Sequence, residues 1–370
     1  MKKIIALVLA LTLVFALVAC GETATETTET TETTETTETA ETTEASGKTI
    51  YVLSPNPDHG WTGAIGVFAQ EKVDEINAEG KYTAVLQTFA SAEDQIHQIE
   101  DIIANNPGDG SIGVAMLPQG PDVENAIQQL IDAGIPYTAA DRIIPSVADA
   151  AVSNIKYDNI EIGAAAASYL VENGLTEGDK VVVIEGDGSS ADTDRTDGFL
   201  QYLKGEVEYN GKTIEAPWTD LSSISRSGAT GWNPANAQTY FETYLGNADN
   251  ADTKYIASWD DGLTTGVFAA LEGSAIDASV KEAFLAGAPY ITGCGGSQVL
   301  YDIIAGTDYH DYTCAESFGG VMSVTYPPAM IQTTIQALID YFDGKDVLHD
   351  NTQSAECVTK DNVANYKGFE

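Results

Sequence analysis

Two side chains that could bind a small polar molecule follow the first predicted strand. Residues 49–53 form an apolar run of strand length, and His59 and Trp61 come between this run and a helical pattern over residues 64–78. A tryptophan face stacks on the CH face of a sugar ring, and His59 or the neighbouring Asp58 would exchange hydrogen bonds with hydroxyl groups. The alternative is that Trp61 only caps the apolar core.

A paired acid and base follow a later strand pattern, residues 135–140, as Asp141-Arg142. A carboxylate beside a forked guanidinium offers acceptors and donors together, which suits the adjacent hydroxyl groups of a sugar. A purely structural salt bridge is the alternative reading of this pair.

Strand-length apolar runs alternate with helical patterns, first from residue 49 to residue 171 and again from residue 180 onward. Nearly continuous apolar strands alternating with helices indicate parallel sheets that are covered on both faces. The sequence therefore predicts an α/β fold with two doubly wound parallel-sheet lobes. In such sheets, ligands bind beyond the carboxyl ends of the strands.

The ordered strand ends resemble the type 1 periplasmic binding proteins for sugars, the family of the ribose, galactose and galactofuranose binders. The resemblance covers nearly all of residues 48–345. It is carried by Gly60-Trp61, by Asp141-Arg142 after Ala133-Gly134-Ile135-Pro136, by Asp158-Asn159, by Asp194-Arg195-Thr196-Asp197-Gly198-Phe199, by Gly231-Trp232-Asn233-Pro234 and by Trp259-Asp260-Asp261.

The resemblance implies two lobes joined by a multi-strand hinge, with a ligand between one aromatic ring from each lobe. The implied ligand-binding positions are His59, Trp61, Asp141, Arg142, Arg195, Trp232 and Asp260, with Tyr326 at a hinge position.

Three positions depart from the family pattern. Gly295 stands where the family commonly has a ligand carboxylate, and Leu117 stands where an asparagine is common, with Gln119 the nearest polar residue. Tyr326 replaces the usual glutamine or glutamate of the hinge. The pocket is therefore expected to differ from a ribose site.

The N-terminal region predicts export and a lipid anchor. Residues 1–20 have the charged start and apolar run of a leader, and Leu17-Val18-Ala19-Cys20-Gly21 resembles a lipobox whose Cys20 is lipidated. Residues 21–47 repeat Thr-Glu-Thr and predict a disordered linker. The folded part is predicted to comprise an N-terminal lobe of residues 48–157 plus 327–350 and a C-terminal lobe of residues 158–326 plus 351–370.

Composition and motifs exclude several classes of function. A net charge of -39 argues against nucleic acid as a partner. The chain has no CxxC or HExxH spacing, so neither a metal nor a cofactor is expected. Beyond Cys20 there are three cysteines, which leave open either one bridge, with Cys294–Cys314 slightly favoured, or three free thiols. The acidic segment 247–252 predicts a solvated turn rather than a calcium loop.

These features predict a non-catalytic, monomeric solute-binding lipoprotein of an ABC importer. It would be held at the outer face of the cytoplasmic membrane through Cys20 and would present a monosaccharide-sized sugar to the permease subunits. Two alternatives stay open: a ligand sensor for a chemoreceptor or histidine kinase on the same fold, and a surface glycan hydrolase. No GxSxG elbow or spaced acid pair supports the hydrolase.

Overall fold

The computed structural model describes residues 47–57 and 60–370. Its first sheet has six parallel strands in the order β11-β5-β4-β3-β1-β2. The strands are β1 (Thr49–Pro55), β2 (Thr83–Phe89), β3 (Ile112–Met116), β4 (Tyr137–Ala140), β5 (Ser153–Tyr157) and β11 (Asp350–Gln353).

The second sheet also has six strands, in the order β12-β10-β9-β8-β6-β7. Only the short β12 is antiparallel among these described strands. The strands are β6 (Val181–Glu185), β7 (Ile224–Ala229), β8 (Tyr255–Ser258), β9 (Tyr290–Gly295), β10 (Gly320–Thr325) and β12 (Cys357–Val358).

Helices connect and cover the strands of both sheets. Those of the first lobe are α1 (Gly60–Glu79), α2 (Ala92–Ala104), α3 (Glu124–Asp132), α4 (Pro145–Ala148) and α11 (Met330–Phe342). Those of the second are α5 (Asn159–Glu172), α6 (Ser190–Leu203), α7 (Pro234–Gly246), α8 (Asp261–Glu272), α9 (Ala278–Ala286) and α10 (Gln298–Ala305). The predicted fold class, an α/β fold with two lobes of mostly parallel sheet, is confirmed.

Burial explains why the strand sequences are continuously apolar instead of alternating between apolar and polar residues. Every residue of β3, β4, β6 and β8 is buried, because helices cover both faces of each sheet. An antiparallel sheet with one solvent-exposed face would instead have a polar residue at every second position of its strands.

The chain passes between the two sheets three times. It crosses after β5, returns after β10 to form α11 against the first sheet, and crosses again between Gln353 and Cys357. Because β11 pairs with β5, residues 351–353 belong to the first sheet, although the sequence reading assigned them to the C-terminal lobe. The other lobe boundaries remain predictions, as do the leader and linker, which lie outside the described residues.

Helices α5 and α6 cross at unusually close range. A Cβ atom at Gly163 would lie 1.9 Å from the carbonyl oxygen of Arg195, and one at Gly198 would lie 2.1 Å from that of Ile160. Only glycine leaves room for such an approach. The crossing therefore fixes where the start of α5 meets the middle of α6, which carries Arg195.

No helix among the described residues is long and apolar enough to cross a membrane. Cys294, Cys314 and Cys357 are free, so the slightly favoured Cys294–Cys314 bridge is not formed. Each thiol is packed into the protein, and burial raises the pKa of Cys294 to about 12 and that of Cys357 to about 11.

Candidate functional site

The predicted ligand residues that the structure describes come after strands in the chain, and three of them, Trp61, Asp141 and Arg195, contact Tyr326. Tyr326 follows β10 and is buried, with 5% of its surface exposed. Its ring centroid lies 5.2 Å from that of Trp61 and 4.6 Å from the guanidinium carbon of Arg195. Tyr326, which the sequence predicts as a hinge and ligand-binding residue that departs from the family pattern, therefore contacts residues of both lobes. His59 and Cys20 lie outside the described residues.

Trp61, in the first turn of α1, is tied to the hinge strand. Its indole Nε1 donates a hydrogen bond to the backbone oxygen of Tyr326 at 2.6 Å. The indole ring is half-buried and tilted by 37° against the Tyr326 ring. This contact joins the first helix of one lobe to the chain segment that leaves the other lobe.

Asp141 faces the same tyrosine from the end of β4. The Tyr326 hydroxyl donates a hydrogen bond to Oδ1 of Asp141, while Oδ2 lies 3.7 Å from Nε of Arg142. Burial and the neighbouring carboxylate raise the pKa of Tyr326 well above its ordinary value, so the phenol stays protonated as the donor. Asp141 has a left-handed backbone, φ 62°, which is uncommon outside glycine and often found at functional sites.

Arg142 is held by a turn after β3. Its Nη1 donates to the backbone oxygen of Gln119 at 2.6 Å, and the amide of Gln119 donates to Oε1 of Gln95 at 2.7 Å. Gln95, on α2, is fully buried and also donates to the backbone oxygen of Leu117. The sequence reading missed Gln95, because a single glutamine on a helix carries no motif.

Arg195 supplies a buried positive charge from α6. Its Nε donates to Oδ1 of Asn159 at 2.9 Å and its Nη1 to the backbone oxygen of Trp259 at 2.5 Å. These bonds leave Nη2 of Arg195 without a hydrogen-bond partner among the described residues. Burial disfavours its charged form, but the nearby acidic groups of Cys294, Tyr326, Asp141 and Asp260 more than offset this and raise the pKa of Arg195.

Trp232 comes close to the same guanidinium from the loop after β7, with its ring 5.6 Å from the guanidinium carbon. The ring lies on the backbone of Gly186, at the end of β6, where a Cβ atom would approach the indole to 2.3 Å. Trp232 has φ 56°, and the amide of Gly231 before it donates to the oxygen of Gly186 at 2.7 Å. The position of this ring therefore depends on a glycine in a different loop.

Asp187 is a second residue that the sequence reading missed. The segment Gly186–Ser190 was taken for a plain turn because it lacks a phosphate-loop spacing. Partial burial opposes ionisation of Asp187, but interactions with Ser189 and the Trp232 indole, and the charge of Arg142, lower its pKa. Asp187 follows a second-sheet strand and Arg142 a first-sheet strand, so this attraction acts between the lobes.

The carboxylates Asp260 and Asp261, after β8, have different roles. Asp260 caps helix α8 by accepting from the amide of Gly262 at 2.7 Å, and burial with the adjacent Asp261 raises its pKa to about 7. Asp261 accepts from the amides of Gly296 and Ser297 and from the hydroxyl of Ser323. Asp261 therefore ties the start of α8 to the turn after β9 and to strand β10, while Asp260 is partly exposed.

The three departures have clear structural outcomes. Leu117 is fully buried in the core, so its side chain offers nothing polar to a ligand. Gly295 has φ 135°, and the position that its Cβ would take lies 3.8 Å from the ring of Phe369. A cavity of about 810 Å³ opens next to Gly295, and of the predicted ligand residues only Tyr326 lines it.

The described residues contain no cluster of histidine, cysteine, aspartate and glutamate that could hold a metal ion.

A family model described as a periplasmic binding protein domain matches residues 50–346. The chain belongs to the periplasmic binding protein family. This confirms the resemblance read from the strand ends. No curated protein sequence matches the chain.

Solved periplasmic binding proteins share its fold. A galactofuranose binding protein is 15% identical with a TM-score of 0.65, over 86% of this chain and 96% of its own. The Caulobacter myo-inositol binding protein is 17% identical with a TM-score of 0.64, over 86% and 96%. The periplasmic component of the arabinose ABC transporter of Shewanella sp. ANA-3, bound to L-arabinofuranose, is 16% identical with a TM-score of 0.62, over 86% and 94%.

Proposed function

We propose that this chain is the solute-binding lipoprotein of an ABC importer and captures a monosaccharide-sized sugar between its two lobes. The observation that carries the proposal is that Trp61 and Asp141 of the first lobe and Arg195 of the second all contact Tyr326. Arg142 lies next to Asp141, and Trp232 lies next to Arg195. The similar solved proteins include binders of galactofuranose, L-arabinofuranose and myo-inositol. All three ligands are small rings fringed with hydroxyl groups.

The chemistry of the cluster fits such a ligand. Indole rings cover the apolar face of a sugar, while a guanidinium and a carboxylate satisfy neighbouring hydroxyl groups as donor and acceptor. In the structure, Tyr326 and Arg195 link the two tryptophans. The Tyr326 ring lies 5.2 Å from the Trp61 ring and 4.6 Å from the guanidinium carbon of Arg195, and that carbon lies 5.6 Å from the Trp232 ring. A sugar bound between the indoles would therefore displace or stack on these two side chains.

Closure of the two lobes over the ligand would raise the affinity of the site. Three chain crossings form a hinge, and closing about it removes water from the ligand, so that hydrogen bonds to its hydroxyl groups face less competition. The permease subunits of an importer would then recognise the closed form. The leader and the lipobox around Cys20 support anchoring of the protein beside such a permease.

The test is calorimetry with the sugar that gives the largest thermal stabilisation in a panel of pentoses, hexoses and polyols. Arg195→Ala and Trp61→Ala should each weaken its binding at least tenfold, because each removes a group at the centre of the cluster. Lys212→Ala and Tyr341→Ala serve as controls, since both side chains are exposed, with Lys212 paired to Glu172 and Tyr341 beside Phe342. Unchanged affinity in both site variants would contradict the assignment.

A further inference from the structure

The cavity beside Tyr326 has a lining unlike that of a sugar site. Its volume of about 810 Å³ exceeds what one sugar ring fills and lies within the range of about 300–1,000 Å³ typical of small-molecule sites. Six aromatic side chains line it, and we call it the aromatic cavity. They are Phe68, Tyr157, Tyr301, Tyr326, Tyr366 and Phe369.

The aromatic cavity lies between the lobes and has a fixed wall. Phe68 comes from α1 of the first lobe, whereas Phe369 lies beside the second sheet. Phe369 is held by its own backbone: its amide donates to the oxygen of Gly296 at 3.1 Å, and its oxygen accepts from the amide of Gln298 at 2.8 Å. Gly368 permits this approach, because a Cβ there would lie 2.4 Å from the nitrogen of Gln298.

The wall beside Gly295 includes the apolar ring of Phe369. At Gly295, where the family resemblance places a ligand carboxylate, no side chain is present. The nearest atoms to its Cβ position are the Asp261 carboxylate at 3.6 Å, which already accepts from the amides of Gly296 and Ser297, and the Phe369 ring at 3.8 Å. A sugar hydroxyl buried against this ring would lose hydrogen bonds to water without replacement. An apolar group would instead gain from burial against it.

The charges of the lining residues further restrict which chemical group fits the aromatic cavity. Glu71, Glu356 and Glu370 line the aromatic cavity with exposed side chains, and Lys367 is the one basic residue among its lining residues. An anionic group would be repelled by this excess of negative charge. The cavity therefore disfavours an anionic group, and its aromatic rings suit an apolar one.

We propose that the natural ligand is a glycoside rather than a free sugar. Its sugar ring lies at the cluster of Trp61, Asp141, Arg195 and Trp232, and its aromatic or aliphatic substituent, which carries no negative charge, lies in the aromatic cavity. Tyr326 contacts the cluster and lines the cavity, so it forms the boundary between the two parts. This inference rests on the proposed function and names its substrate class.

The experiment compares free sugars with matched methyl and p-nitrophenyl glycosides of galactofuranose, L-arabinofuranose and fucose by calorimetry. For the sugar that binds, the p-nitrophenyl glycoside should bind about tenfold more tightly than the methyl glycoside, since it buries an aromatic ring among aromatic rings. Phe369→Ala should reduce this ratio to about twofold or less while leaving the affinity for the methyl glycoside within about twofold.

Tyr341→Ala is the matched control, because it removes an aromatic side chain that is 48% exposed and does not line the cavity. It should keep the full ratio. If methyl and p-nitrophenyl glycosides bind equally to the unmodified protein, or if Phe369→Ala keeps the ratio, the inference fails while sugar binding stands. If no free sugar or glycoside binds, the proposed function fails and the inference with it.

Discussion

On the second-sheet side of the cluster, Arg195 and Trp232 are fixed by atoms of their own lobe, whereas on the first-sheet side Trp61 and Asp141 are both bonded to Tyr326. Arg195 is held by Asn159 and the backbone of Trp259, and Trp232 lies on Gly186. Trp61 and Asp141 instead depend on a residue at the end of β10, where the chain passes between lobes.

The difference indicates that the two halves respond differently to hinge motion. The second-sheet half keeps its geometry at any hinge angle, because its partners move with it. In the first-sheet half, Arg142 is held by Gln119 of its own lobe, but Trp61 and Asp141 keep their hydrogen bonds only while Tyr326 reaches them. A ligand that enters an open cleft would therefore meet a preformed half first, and preorganisation of that half lowers the cost of binding.

The largest expected effect comes from the helix crossing that places Arg195. Gly163→Ala puts a methyl group where only 1.9 Å separates it from the Arg195 oxygen, and should lower the free energy of unfolding by about 2–3 kcal/mol. Chemical denaturation measures this change in the free energy of unfolding. Gly246→Ala, which meets no atom within 4 Å, is the control and should stay within about 0.5 kcal/mol of the original protein. Equal behaviour of the two variants would contradict the claim that the second-sheet half is rigidly built.

A substitution beneath Trp232 should act on binding more than on stability. In Gly186→Ala the new methyl group would approach the indole to 2.3 Å and displace it, so we expect sugar affinity to fall by about tenfold. Calorimetry with the same Gly246→Ala control measures the fall. Full affinity in Gly186→Ala would show that the ring need not lie where the structure places it.

Titration of Asp260 should make stability fall as the pH rises. Its pKa of about 7 in the folded protein exceeds the ordinary 3.8, so the folded state holds a proton that the unfolded state has lost between these pH values. Stability from this group is therefore complete below about pH 4 and declines until about pH 7.

Asp260→Asn keeps the helix cap but removes the titration. Relative to the original protein, its free energy of unfolding should rise by about 1 kcal/mol between pH 4 and pH 8, after allowing for partial exposure. Denaturation at a series of pH values gives this difference. A difference that stays constant with pH would rule out a neutral, protonated Asp260 in the folded second lobe.

The smallest expected effect on affinity concerns the first-sheet half of the cluster, where Trp61 and Asp141 are bonded to Tyr326. Tyr326→Phe keeps the ring but removes the hydroxyl that Asp141 accepts from, so Asp141 loses its tie to the hinge. We expect sugar affinity to fall by about threefold, the size of one modest hydrogen bond. Calorimetry at constant pH measures it. No change in affinity would mean that Asp141 is positioned without Tyr326, and the contrast between the two halves would disappear.

Much of this arrangement could be read from the sequence. The apolar runs predicted the strands because parallel sheets bury both faces, and the residues after those runs included Trp61, Asp141 and Arg142. Arg195, Trp232 and Asp260 followed from the family resemblance. Their presence in one cluster was predictable because the carboxyl ends of parallel strands share one edge of each sheet.

Contacts between distant segments could not be read in the same way. Tyr326 bonds to Asp141 across 185 positions, and the turn containing Asp187 resembled any solvated loop. The aromatic cavity draws its rings from segments between Phe68 and Phe369. No local periodicity or residue spacing predicts contacts between such distant residues, since these contacts depend on how helices and loops pack.

The sequence by itself determined the fold class, the family and the strand ends at which a ligand would lie. These follow from local patterns of apolar and polar residues that repeat along the chain. Only the tertiary structure decided that Tyr326 contacts both halves, that glycines set the positions of Arg195 and Trp232, and that six aromatic side chains line one cavity beside Gly295. The physical reason is that these features are distances between packed segments, and close packing fixes such distances only when the whole chain has folded.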